Sequence, residues 1–221
     1  MERIEGTNRR TLDRAGLLAR AAAYPYVWLD LGTGDGRYVS HLATALPRWL
    51  VVGVDACREP LRERSAKAAP NALFVIANAL ALPGELDGIA QRVSINFPWG
   101  SLLEGLVEGD QGLLEGLRRV SQPETLLELR LNGGAVAEQG LSPEACLGRV
   151  RHLLSAAGWS CGQVAELRER QLRSLPSTWA RRLAHGPHPW ALALRAVRVE
   201  RLAVGASLLT GQVTGRSPHG A

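Results

Sequence analysis

The sequence predicts an α/β protein: a mostly parallel, seven-stranded sheet with helices on both faces and a β-hairpin at the N-terminus. Three observations carry this. Short aliphatic runs alternate with stretches whose apolar residues recur at helical spacing, in units of roughly 30 residues, the length of a strand–helix–strand crossover. The first such strand runs into LDLGTGDG (Leu29–Gly36), where three glycines on alternate positions follow an aspartate as strand turns into helix. The chain has 221 residues and is 46% apolar, enough to bury one core of ordinary domain size.

Taken in order, residues 1–12 are expected to form the hairpin, around Gly6-Thr7-Asn8. Val27–Leu31 is the first strand of the main set, and a helix from Tyr38 to Leu46 stops before Pro47. Leu50–Asp55 (LVVGVD) is a second buried strand. Arg58 to Ala68 is helical, with Pro60 tolerated in the first turn. Leu73–Ala77, Val93–Phe97 and Leu126–Leu131 are the third, fourth and fifth strands, and a helix from Asp110 to Val120 separates the last two. Ser142-Pro143-Glu144 starts a helix that runs to Ala157 and stops at Gly158. A further strand lies near Gln163–Leu167, and Trp190–Val199 alternates as a half-exposed antiparallel strand does. One domain is expected over residues 1–205. Within it, residues 168–189 form a long basic connection of the kind that is usually functional or disordered. Residues 206–221 read as a frayed tail.

Composition narrows the function. No apolar run approaches the roughly 20 residues of a membrane helix. The opening MERIEGTNRR has no hydrophobic block and does not read as a secretory signal. Cys57, Cys146 and Cys161 lack metal-binding spacing and suit free thiols in a reducing cytoplasm. His185 and His188 have no evident third ligand, so no metal is expected. The net charge of +5 is unevenly spread. Residues 1–165 hold 17 basic and 18 acidic side chains, whereas residues 166–221 hold nine Arg and three Glu. Arginine forks suit phosphates, so the basic C-terminal part hints at a nucleic-acid partner.

Glycines after a strand let backbone approach a ligand without a Cβ in the way, and the next helix offers unpaired N–H groups. Asp55, ending the second strand 25 residues after Asp30, can take both hydroxyls of a ribose. The residues alone thus point to an adenine nucleoside or a dinucleotide. The spacing G-x-G-x-G, with Asp30 two positions ahead, resembles the class I methyltransferases, which have a Rossmann-like fold and use S-adenosylmethionine. That resemblance implies a cofactor-binding set of Asp30, Gly32, Thr33, Gly34, Gly36, Asp55, Asn78 and Ala79. In it Asp30 serves the ammonium end, and Asn78 with Ala79 contacts the adenine.

Beyond the fourth strand, Asn96-Phe97-Pro98-Trp99 has two readings. It resembles the Asn/Asp-Pro-Pro-aromatic motif of amino-methyltransferases, in which Asn accepts from an exocyclic amine. More specifically, FPWGSLLE (Phe97–Glu104), GTGDGR (Gly32–Arg37) and STWARRLAHG (Ser177–Gly186) together resemble the aminoglycoside-resistance methyltransferases that modify N1 of adenine 1408 in 16S rRNA. The N-terminal EGT fits too, so the likeness extends from residue 1 to about residue 200. It implies that Trp99 and Trp179 sandwich a flipped adenine and that Ser177 holds the base or its backbone. Phe97 and Pro98 would line the substrate, and Arg181 and Arg182 would meet RNA phosphates. The partner implied is 16S rRNA in the 30S subunit, with a monomeric, cytoplasmic enzyme acting on it. The alternatives are a methyltransferase acting on an exocyclic amine or another RNA site, and a homologue that binds cofactor and RNA without turnover.

Overall fold

The structure, a computed structural model, describes residues 1–138, 140, 142–186 and 189–199. Among these, nine strands form one sheet: β1 (Glu2–Glu5), β2 (Asn8–Thr11), β3 (Tyr26–Leu31), β4 (Trp49–Asp55), β5 (Ala72–Ile76), β6 (Ala90–Asn96), β7 (Ser121–Asn132), β8 (Trp159–Arg168) and β9 (Trp190–Arg198). Their order is β2-β1-β5-β4-β3-β6-β7-β9-β8. The α/β class is as expected, but the strand number is nine rather than seven. The hairpin does not stand apart: Glu2 pairs with Ile76 and Arg3 with Val75, which adds β1 and β2 to the sheet edge. The sheet is also mixed rather than mostly parallel. Strands β3 to β7 are mutually parallel, while β1, β2, β8 and β9 join through antiparallel ladders.

Alternation along the strands builds the two layers, because successive side chains leave a strand on opposite faces. Leu29, Leu31, Val52, Val54 and Val75 bury on one face with Leu103, Leu113 and Leu117. Trp28, Val51 and Phe74 bury on the other, with Tyr38, Val39 and Leu42. Each fully buried aliphatic side chain contributes about 1.5–3 kcal/mol against exposure, so both faces hold the central strands firmly.

The helices are α1 (Arg14–Ala21), α2 (Arg37–Ala45), α3 (Arg62–Ala66), α4 (Gly100–Glu108), α5 (Gln111–Val120), α6 (Gly133–Glu138), α7 (Pro143–Ala156), α8 (Glu169–Ser174) and α9 (Thr178–Ala184). Asp110 caps α5 by accepting from Leu113 N at 2.8 Å, and Ser142 caps α7 by accepting from Ala145 N at 3.2 Å. The continuous helix expected from Arg58 is a short 3-10 turn, Glu59–Leu61, followed by α3. The connection at 168–189 carries α8 and α9. Their Leu172, Ala180 and Ala184 pack with Phe97 and Ala191 into a third small core. The tail expected at 206–221 lies outside the described residues. No described helix is long and apolar enough to cross a membrane.

Candidate active site at the sheet switch point

From β3 the chain crosses to β4 and β5 on one side, and later to β6 and β7 on the other. Connections leaving in opposite directions open a crevice beyond the carboxyl ends of the strands, between β3 and β6. The glycine turn follows β3 and Asn96–Trp99 follows β6, so topology brings the two halves of the expected site to one place.

The turn is held by backbone and carboxylates. Gly32 N and Thr33 N donate to Val54 O at 2.9 and 3.1 Å. Gly32, Gly34 and Gly36 have φ of 70°, 59° and 73°, a left-handed conformation that costs other residues free energy. A Cβ on Gly36 would come within 2.5 Å of the Phe74 ring, whereas nothing lies within 4 Å of the Cβ position of Gly34. Gly36 therefore serves packing, and Gly34 faces open space. Asp55 accepts from Gly34 N at 2.7 Å and from Cys57 N at 2.8 Å, one bond to each carboxylate oxygen. Each oxygen keeps a further acceptor site, so the carboxylate can shape the turn and still take a ribose hydroxyl.

Asp30 lies beneath the turn, 2% exposed. Its Oδ1 accepts from Ser94 Oγ at 2.6 Å and from Asn96 Nδ2 at 2.9 Å, and Trp28 Nε1 donates to Ser94 Oγ at 2.9 Å. Burial pushes the Asp30 carboxyl up to about 6, and the bonds from Ser94, Thr33 and Asn96 and the charge of Arg130 oppose that rise. Thr33 Oγ1 is buried beside this carboxylate and has no other hydrogen-bond partner. A cation beside a buried carboxylate offsets its desolvation and restores its charged form, so Asp30 suits a ligand bearing one. With the open space at Gly34, these groups fit the amino-acid end of S-adenosylmethionine. Asn78 is exposed, and its Oδ1 accepts from Leu80 N at 2.9 Å, which leaves its NH₂ to donate to a ring edge. Ala79 is buried beside it.

Asn96 is committed at both ends. Its Nδ2 donates to Asp30, and its Oδ1 accepts from Arg130 Nη1 at 2.5 Å. Arg130 can only donate and an ionised Asp30 only accept, so the amide has one orientation. Arg130 in turn meets Glu128 at 3.2 Å, and Glu128 meets Arg195 at 3.2 Å, which extends the network to the surface.

Phe97 departs from expectation. Its side chain is 2% exposed among Leu172, Ala180, Ala184 and Ala191, so it anchors the loop instead of facing a substrate. Pro98 is buried as well. Phe97 has φ of 53°, a strained value for a residue with a Cβ, and its N–H donates to Arg130 O at 2.8 Å. Such strain costs about 1–3 kcal/mol and persists where surrounding packing over-determines it. The kink ends β6 and leaves Trp99 exposed at the start of α4.

Trp99 and Trp179 meet across the crevice, with ring centroids 5.4 Å apart and planes inclined at 32°. They are 38% and 40% exposed, unusual for indoles that touch. The Arg182 guanidinium lies 5.2 Å from the Trp179 ring, and Arg181 is exposed on the same helix. Ser177 is buried and caps α9, accepting from Ala180 N at 3.5 Å. One contact went unread in the sequence: Thr178 Oγ1 donates to Asp35 Oδ2 at 2.7 Å. No local pattern signals it, since the partners lie 143 residues apart. His185 follows the end of α9, and His188 lies outside the described residues. A separate cavity of 690 Å³ between α5 and α7 is lined by none of the expected site residues.

Comparison with known proteins identifies the family. Residues 2–198 match the family "NpmA: 16S rRNA (adenine(1408)-N(1))-methyltransferase". A 16S rRNA (adenine(1408)-N(1))-methyltransferase from Streptoalloteichus hindustanus is 33% identical over 199 residues, 83% of this chain and 92% of that one. The crystal structure of a mutant 16S rRNA (adenine(1408)-N(1))-methyltransferase from Catenulisporales acidiphilia, with cosubstrate SAM, superposes with a TM-score of 0.81 at 31% identity, covering 90% of this chain and 97% of that one. The aminoglycoside resistance methyltransferase NpmB1 superposes with a TM-score of 0.76 at 32% identity, over 90% of this chain and 99% of that one.

Proposed function

The chain belongs to the family of 16S rRNA (adenine(1408)-N(1))-methyltransferases, and from that premise we propose how its residues carry the reaction. It is an S-adenosylmethionine-dependent methyltransferase that modifies N1 of adenine 1408 in 16S rRNA, an aminoglycoside-resistance activity. Our reading is that it acts as a cytoplasmic monomer on the assembled 30S subunit, holding the flipped adenine between Trp99 and Trp179.

The observation that carries the clamp is the meeting of two exposed indoles, 80 residues apart in the chain, beside the glycine turn. Removing a base from its helix costs a few kcal/mol. Stacking on one aromatic face returns about 1–3 kcal/mol, so two faces offset that cost. A base between two rings needs two van der Waals gaps, about 7 Å in all, so the rings must part from 5.4 Å. S-adenosylmethionine supplies an electrophilic methyl on a sulfonium. Adenine N1 carries an in-plane lone pair and no proton. Its attack forms the N–C bond as the methyl–sulfur bond breaks and that electron pair stays on sulfur. No general base is needed, and catalysis is mainly alignment. The adenine leaves with a positive charge, which indole faces tolerate.

In the cofactor half, Asp30 with Thr33 would hold the ammonium end, Asp55 the ribose, and Asn78 with Ala79 the adenine. Gly32, Gly34 and Gly36 give the turn its shape. Ser177 would start α9 at the angle that presents Trp179, and Arg181 and Arg182 would face RNA phosphates. The state of Asn96 favours a structural role over acceptance from an exocyclic amine: it is buried, and its amide is bonded to Asp30 at one end and Arg130 at the other.

Tritiated methyl transfer to purified 30S subunits, followed by primer extension, tests this reading. The expected result is label in 16S rRNA with reverse transcriptase arrested at 1408, and far less label in naked 16S rRNA. Label without arrest would move the target to an exocyclic amine. Cofactor binding without label would make the chain a non-catalytic homologue.

A further inference from the structure

Thr178 immediately precedes Trp179, and its hydroxyl donates to Asp35 at 2.7 Å. Asp35 sits between Gly34 and Gly36, and its other oxygen accepts from Arg37 N at 3.1 Å, at the start of α2. One carboxylate thus ties the helix that carries the second indole to the turn that faces the open cofactor space. The rest of α9 has other supports. Ser177 caps its start, and Ala180 and Ala184 pack against Phe97 and Leu172. The turn is likewise held without Thr178, through Val54 O and Asp55. The hydrogen bond is therefore spare for folding either element, yet it links the two places where the two substrates would sit.

We propose that the Thr178–Asp35 hydrogen bond couples cofactor binding to base capture, which makes Thr178 a positioning residue for Trp179. This rests on the clamp reading above. The two rings part to admit a base by a shift of either indole or of the helix that carries it, and α9 carries one of them, Trp179. The side-chain bond next to it leads into the glycine turn. Cofactor seated against Gly34 fixes the neighbouring Asp35, and Asp35 then holds the start of α9 in the arrangement that accepts adenine. By linkage, RNA binding must tighten cofactor binding by the same factor.

The test uses the full chain, S-adenosylhomocysteine as the probe and Thr178→Val, which keeps the shape and removes the donor. In the wild type the probe is expected to tighten 30S binding by about tenfold, within the range of ordinary coupling. In T178V that ratio should fall to about one, while affinity of the free protein for the probe changes less than about threefold. Thr178→Ser restores the hydroxyl and should restore the ratio. A merely structural role would lower the melting temperature and leave the ratio unchanged, which overturns the proposal, as does a wild type with no coupling. Tryptophan fluorescence separates this failure from failure of the clamp reading. The probe-induced change that depends on Trp179, identified by subtracting W179F, should disappear in T178V even if no methyl reaches the 30S subunit. If that change persists in T178V, the coupling is absent.

Discussion

Around the glycine turn, Asp30, Asp55 and Asn96 are held by the protein's own groups, Ser94, Gly34, Cys57 and Arg130. Around the clamp, Trp99 and Trp179 are exposed and touch each other, Arg182 lies over Trp179, and α9, which carries Trp179, has seven residues. The first region is preorganised: its polar groups are desolvated and oriented, so a small ligand need not organise them. The second must rearrange, because its rings occupy the space a base requires. A donor that recurs unchanged suits a fixed socket. A base pulled from a ribosomal helix suits a closing one.

If the comparison holds, the two regions should fail separately. The largest effect is expected for Trp179→Ala. It removes one stacking face, worth about 1–3 kcal/mol, and methyl transfer should fall by about 100-fold while affinity for S-adenosylhomocysteine is unchanged. Calorimetry and a methyl-transfer assay read the two quantities, and an equal loss in both would erase the distinction.

A second effect belongs to the fixed socket alone. Burial keeps Asp30 protonated up to about pH 6 in the unloaded protein, and a cationic ligand requires the ionised form. Affinity for S-adenosylhomocysteine, which keeps the ammonium, should be flat above that value and fall about tenfold by pH 5. Asp30→Asn should bind weakly at every pH with no such slope. The same shift makes Asp30 a stability cost in the unloaded fold: its contribution declines as pH rises from 3.8 to about 6. The smallest effect is expected for Arg181→Ala. It should weaken 30S binding modestly and reduce the dependence of log affinity on log salt by about 1.

Legibility divides along a similar line. The parallel strands read directly from the chain because buried aliphatic runs end in turn residues, and the cofactor turn reads because its parts are contiguous. The start of β7 did not: Pro123 offers no ladder donor and Glu124 has φ of 63°, so the strand is bulged before Leu126 and its pattern begins late. Helix α4 was hidden by Gly100 and Gly105, which weaken helical propensity, although Gly105 packs closely on Leu80. The joining of the hairpin to β5 is a pairing between residues more than 70 apart, which no local pattern encodes. At the site, Trp99 and Trp179 were connected through family likeness, not spacing. Phe97 was expected at the substrate through the same family likeness, and its left-handed backbone, which turns its side chain away from that of Trp99, leaves no mark in composition. The Thr178–Asp35 bond had no signal at all.

The most direct test is a structure of the protein on the 30S subunit with a non-reactive S-adenosylmethionine analogue. The account predicts adenine 1408 flipped out of its helix, with Trp99 and Trp179 parted from 5.4 Å to about 7 Å around it and N1 facing the methyl position. Adenine still stacked in the rRNA, with the two indoles still in contact, would contradict it.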